Sequence, residues 1–205
     1  MGKLEANKQQ KLTSLLNTAF NLFTTQGVTK TSIAEISQKA GIAKGTFYLY
    51  FKDKYDIRNR LISHESSKLF KNAVADLEEF SKEKNKQLGF EEKIIFIINH
   101  IVDELNSNQT LLTFISKNLS WGIFKEALTT KVASDDINFK DVYYEMINAE
   151  DISLEEPEIM LFLIVELVSS TCYSAILYKE PADIDTIKPY LFKTVRAIIK
   201  EHTIR

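Results

Sequence analysis

The sequence predicts an all-α fold, a three-helix N-terminal unit followed by a longer helical body. Three observations carry this. Apolar residues recur at i, i+3, i+4 and i+7 along most of the chain, and no segment alternates apolar and polar residues between turns. Glycine and proline are scarce, six and three in 205 residues, which favours long helices joined by short loops. Apolar residues make up 44% of the chain and charged residues 26%, enough for a real core in a soluble globular protein.

The elements follow in order. A first helix is predicted over 8–25, with Leu12, Leu15, Leu16, Ala19, Phe20 and Phe23 on one face and Gly27 placed to close it. The second opens at Ser32. Ser32 and Glu35 have capping-box spacing: the hydroxyl accepts a backbone N–H and the carboxylate reaches back. Ile33, Ile36 and Ala40 share a face, and Gly41 permits a sharp turn through Ile42 and Ala43. A short third helix is predicted over 44–51. A fourth starts near Asp53, an N-cap candidate, and runs to about 82, before a polar loop over 82–89. Helical pattern resumes over 91–105, 109–119, 121–132 and 137–149. Pro157 suits a first turn and starts a long apolar helix over 157–178. A last helix spans 184–201.

The stretch over 159–178 is long enough to cross a bilayer. It carries Glu166 near its centre, then Ser169, Ser170, Thr171 and Ser174, and no basic cluster flanks it. A helix buried on most faces is the expected reading, not a membrane span.

Charge is unevenly spread. Up to Arg60 there are ten Lys and Arg against four Asp and Glu, and beyond it sixteen against twenty-four. A basic head on an acidic body suggests that the head meets a polyanion. Cys172 is the single cysteine and lies in an apolar run, so no intrachain disulfide forms and a buried thiol in a cytoplasmic protein is expected. The N-terminal MGKLEANKQQ shows no signal core.

Three short helices with a glycine turn between the second and third describe a helix-turn-helix, whose last helix enters the major groove. Phe47 and Phe51 lie one turn apart and should anchor the core. The opposite face then presents Gly45 and Leu49, flanked by Thr46, Tyr48 and Lys52. Gly45 allows close approach of the backbone, Thr46 can donate to a phosphate or base edge, and Leu49 can touch a thymine methyl. Tyr48 offers a hydroxyl to phosphate, and Lys44, Lys52 and Lys54 supply charge. Thr31 and Ser32 stand at the start of the second helix, where free N–H groups favour an anion.

The run TSIAEISQKAGIAKGTFYLYFKDKYDI resembles the signature of the TetR (tetracycline-repressor) family of bacterial regulators. The matching features are Thr31–Ser32, Gly41, the Lys44-Gly45-Thr46 opening, the aromatic run through Phe47, Tyr48, Tyr50 and Phe51, and Lys52-x-Lys54. The amphipathic helix ending at Gly27 matches as well. Leu49 departs from the pattern, which places a second aromatic after Tyr48. The resemblance covers residues 8 to 60. It implies a DNA-binding domain over 1–54 and an effector-binding and dimerisation domain over 55–205.

The same resemblance implies an all-helical homodimer joined through its last two long helices, here with Ile159, Phe162, Leu163, Glu166, Ser170, Tyr173 and Leu177 at the interface. A helix apolar nearly all round independently needs cover on more than one side. Two recognition helices would then sit about one DNA turn (~34 Å) or more apart, on an inverted repeat. The implied small-molecule cavity would draw on Phe96, His100, Phe114, Trp121, Phe124 and Tyr144. Single aromatics at helical spacing are otherwise ordinary core. Glu104, Glu145 and Glu166 are candidates to neutralise a cationic effector.

His64, His100 and His202 lie far apart, and none has zinc-ligand spacing, so neither a metal nor a cofactor is expected. His64 beside Glu65 reads as a solvated pair. There is no Walker loop, G-x-S-x-G, H-E-x-x-H or Rossmann fingerprint, and an enzyme is not expected. The expected function is a ligand-released repressor binding double-stranded operator DNA. The alternatives are an activator or corepressor-type regulator, and a helical adaptor without DNA function.

Overall fold

The computed structural model describes residues 3–118, 138–150 and 152–204. Its helices are α1 (Lys3–Gln26), α2 (Ile33–Lys39), α3 (Lys44–Phe47), α4 (Lys54–Lys84), α5 (Phe90–Ser107), α6 (Gln109–Asn118), α7 (Phe139–Asn148), α8 (Pro157–Leu177) and α9 (Ile184–His202). Among the described residues there is no strand, only an isolated antiparallel bridge between Leu154 and Thr203. The helix expected over 121–132 lies outside the described residues. The chain divides into two compact units, the first reaching to Ser67 and the second built from Lys68–Lys117 and Phe139–Arg205. The division falls inside α4.

Two boundaries differ from expectation by more than two residues. α1 begins at Lys3 because nothing from Lys3 to Lys8 breaks a helix, and Glu5 in the first turn complements the positive end of the helix dipole. α3 stops at Phe47, short of 51. Beyond it the Leu49 and Tyr50 N–H groups bond to Thr46 and Phe47 carbonyls three residues back, a tighter turn than the α-helix. The Phe51 N–H still reaches the Phe47 carbonyl at 3.0 Å, so both phenylalanines keep one face.

In the first unit, α1 contributes Leu15, Leu16, Ala19, Leu22 and Phe23 to the core. Ile36 of α2, Phe47, Phe51, and Ile57 and Leu61 of α4 complete it, and all five are at most 1% exposed. Each such side chain adds about 1.5–3 kcal/mol of burial free energy. The hydroxyl of Ser14 donates to the Ala40 carbonyl at 3.1 Å and ties α1 to the end of α2.

That end is a Schellman cap. The Ile42 N–H bonds to the Ser37 carbonyl at 2.9 Å and the Gly41 N–H to the Gln38 carbonyl at 3.1 Å, which requires Gly41 at φ +68°. The chain therefore reverses within three residues and delivers α3 at once. At the head of α4, Asp53 accepts the N–H groups of Tyr55 at 2.7 Å and Asp56 at 2.9 Å, as its N-cap assignment requires.

The second unit packs α8 against α9 and α5. α5 buries Phe90, Ile94, Ile97, Ile98, Val102 and Leu105, and α9 buries Ile184, Leu191, Val195 and Ile199. Glu150, after α7, accepts the Phe90 N–H at 2.5 Å and the Lys93 ammonium at 2.7 Å, holding the start of α5. The chain after α9 returns to the segment before α8 through Ile204 N–H to the Ser153 carbonyl at 2.9 Å. Cys172 is fully buried, and burial pushes its thiol up to about 12, which leaves it inert. His64 is 7% exposed, so it is not the solvated group expected; it falls on the buried face of α4 with Ile57 and Leu61.

Replacing Gly41 by alanine keeps the left-handed backbone but adds a Cβ clash with it. The variant is expected to lose about 1–2 kcal/mol in urea denaturation, with the slope unchanged.

Candidate nucleic-acid interface

The first unit presents one continuous polar and apolar face around α3. Phe47 is fully buried and its ring lies 5.5 Å from that of Phe51. With both pointing inward, the intervening residues are forced outward. Tyr48 is 52% exposed and Leu49 is 81% exposed. Removing such a leucine from water would be favourable, yet nothing among the described residues covers it. Tyr48 is held edge-on against Phe47, with ring centroids 5.6 Å apart.

Gly45 is exposed, with a negative φ, and a Cβ built there meets nothing within 4 Å. Neither backbone conformation nor internal packing requires glycine at this position. Lys44 and Lys52 are exposed beside it, and Thr46 is half-buried. The Lys52 backbone N–H is taken by the Asp56 carboxylate at 2.8 Å. The Tyr50 hydroxyl makes a long contact, 3.4 Å, with the Lys8 carbonyl of α1.

Two expected contacts are corrected. Thr31 is 1% exposed: its hydroxyl donates to the Gly27 carbonyl at 2.8 Å and accepts from the Gln26 amide at 3.3 Å. It closes the α1–α2 turn and is not presented to a ligand. The Lys54 ammonium is also turned inward, donating to the carbonyls of Thr29 at 2.9 Å and Thr31 at 3.2 Å.

Ser32 caps α2 as expected, accepting the Glu35 N–H at 3.1 Å. The other half of the capping box is redirected. The Glu35 carboxylate binds the Gln26 amide at 2.8 Å and Lys39 at 3.2 Å, and these partners hold it below the usual carboxylate range.

Sequence reasoning passed over Tyr55, which is 50% exposed, with the Arg58 guanidinium 5.4 Å and the Lys54 ammonium 5.7 Å from its ring centre. The Tyr-x-x-Arg spacing at the start of α4 is the signal that would have found it.

In the second unit, Phe96 and His100 meet in an open groove of about 370 Å³ with Asn99, Asp103, Glu104 and Ser107. The His100 ring lies 3.0 Å from Asp76 and 3.4 Å from Glu104. Phe114 and Tyr144 do not line this groove: Phe114 is in the core, and Tyr144 stacks edge-on to Tyr143 under the Lys140 ammonium. Trp121 and Phe124 lie outside the described residues. Among the described residues no three His, Cys, Asp or Glu side chains are placed to hold a metal ion.

Along α8 the buried residues Met160, Leu161, Ile164, Cys172, Ala175 and Ile176 form one stripe. Ile159, Leu163, Glu166 and Ser170 are exposed on the other side, with Phe162, Tyr173 and Leu177 half-buried. By length and composition this helix could cross a membrane, and 39% of its most apolar window is buried within the chain, so it is not covered on most faces by the described residues as expected.

Residues 15–61 match the family model of bacterial regulatory proteins of the tetR family. The match spans the segment from α1 to the start of α4. The chain is 40% identical over 55 residues to the HTH-type transcriptional regulator AcrR of Shigella flexneri, covering 27% of this chain and 26% of that protein. It is 29% identical over 79 residues to the fatty acid metabolism regulator protein of Bacillus subtilis, 38% of this chain and 41% of that one. These alignments thus span less than half the length of either relative. The likeness in fold extends much further. The transcriptional regulator FadR of Bacillus subtilis, solved in complex with stearoyl-CoA, superposes with a TM-score of 0.60 over 89% of this chain and 96% of its own, at 17% identity.

The redirected Glu35 gives a pH signature. A carboxylate held below its ordinary value contributes stability that is full above that value and is lost as pH falls through the lowered one. Glu35→Gln should therefore be less stable than the native chain at neutral pH. The gap should close in acid melts below the carboxylate range.

Proposed function

We propose that this chain is a homodimeric, effector-released repressor that binds an inverted-repeat operator through the α3 face. The exposed Tyr48–Leu49 pair beside Gly45 carries this reading. An apolar side chain with no cover, a glycine with no internal need to be glycine, and flanking lysines suit a major groove: Leu49 on a thymine methyl, the Gly45 backbone close to the duplex, Lys44 and Lys52 on phosphates.

The incompletely covered α8 supports the dimer. Its outward stripe from Ile159 to Leu177 needs a partner, and a second copy supplies the same stripe about a two-fold axis. Glu166 and Ser170 on that stripe favour a soluble interface over lipid. The second unit takes the effector, and a ligand that prefers the DNA-incompetent state lowers operator affinity. Long-chain acyl thioesters are the first class to test, given the fatty acid regulators among the similar proteins and the stearoyl-CoA bound to one of them.

Mobility shifts on the DNA flanking its own gene, with random competitor and footprinting, test the reading. Protection of an inverted repeat, relieved by effector, is expected; binding no tighter than to competitor would sink it. Gly45→Ala should leave the fold as stable or up to about 1 kcal/mol more stable. It should nevertheless weaken operator binding about tenfold, a loss of about 1.4 kcal/mol. Lys44→Ala should reduce the salt slope by about one, and Leu49→Ala should relax preference at one or two base pairs.

A further inference from the structure

Resting on the DNA-binding reading, we infer that Lys54 is a positioning residue for the recognition unit and not one of its phosphate contacts. A lysine early in α4 of a DNA-binding unit invites assignment to the backbone of the duplex. Its surroundings assign it otherwise. The ammonium has three N–H donors. Two are spent on the Thr29 and Thr31 carbonyls, at 2.9 and 3.2 Å, and the ammonium also lies 5.7 Å from the centre of the Tyr55 ring. The side chain is half-buried, unlike Lys44 and Lys52.

The two carbonyls belong to the turn between α1 and α2. That turn is already closed from its other side by the Thr31 hydroxyl on the Gly27 carbonyl and by Gln26, which bridges Thr31 and Glu35. Lys54 adds a link from α4. It ties the start of α4 to the entry of α2, 23 residues earlier in the chain. α2 leads through the Gly41 cap directly into α3, so the link fixes where α3 begins relative to α4. Without it, two carbonyls lose a charged donor and the turn gains freedom, while the number of phosphates neutralised stays the same.

Three variants separate the roles: Lys54→Met, Lys54→Arg and Lys44→Ala, each measured for operator affinity against salt concentration and for amide hydrogen exchange without DNA. For Lys54→Met we expect affinity lowered about tenfold with the native salt slope, and faster exchange confined to residues 28–36. Lys54→Arg, which keeps charged donors, should restore much of both. Lys44→Ala should lose about one unit of slope with native exchange. A slope reduced by one in Lys54→Met with native exchange would make Lys54 a phosphate contact and overturn the inference, as would unchanged affinity. If the native chain shows no specific DNA binding, the functional reading fails. The exchange rates then still decide whether Lys54 orders the turn.

Discussion

The proposed recognition surface depends on the packing of Phe47 and Phe51. Both rings are buried to 1% exposure or less on a segment whose regular helix is only four residues long. A helix this short has no stability of its own; tertiary anchoring makes it. Two aromatic anchors four residues apart fix its rotation, and the residues between them then point outward. The exposure of Leu49 follows from that rotation. The same anchors seat α3 in the core beside α2, so burying them and presenting the outward face are one event.

Around that anchor the turns are closed by local chemistry. Gly41 reverses the chain at the end of α2 with both Schellman bonds formed. The α1–α2 turn is closed by Thr31, Gln26 and Lys54. Each of these side chains is polar and sits beside a surface expected to be functional, but its hydrogen bonds run inward. The polar residues near α3 therefore sort into two kinds: those that hold the unit together, and the outward set of Lys44, Gly45, Thr46, Tyr48, Leu49 and Lys52.

Much of this was legible in the sequence. The periodicity of Leu12 to Phe23 located α1, the Gly27 and Gly41 positions located both turns, and the Phe47–Phe51 spacing gave the inward face of α3. The tetR-family resemblance read from residues 31–57 agrees with the family match over 15–61. What the sequence hid was the direction of hydrogen bonds between residues distant in the chain. Thr31 and Lys54 look like solvent-facing polar groups until the 23-residue separation between Lys54 and the Thr31 carbonyl is closed by folding. Glu35 carries capping-box spacing, but Gln26, nine residues away, competes for its carboxylate. The second unit was legible as helices and less so as a site. Aromatic spacing on one helix does not tell which rings face each other; of the four described residues expected around the effector, Phe96 and His100 share a groove.

Hydrogen exchange of the full chain with and without a duplex carrying its own upstream sequence tests the central claim most directly. The account predicts that protection gained on DNA binding centres on residues 44–52, with the amides from Lys44 to Leu49 slowed most. Binding that leaves those amides unchanged, or protects only the second unit, would contradict it.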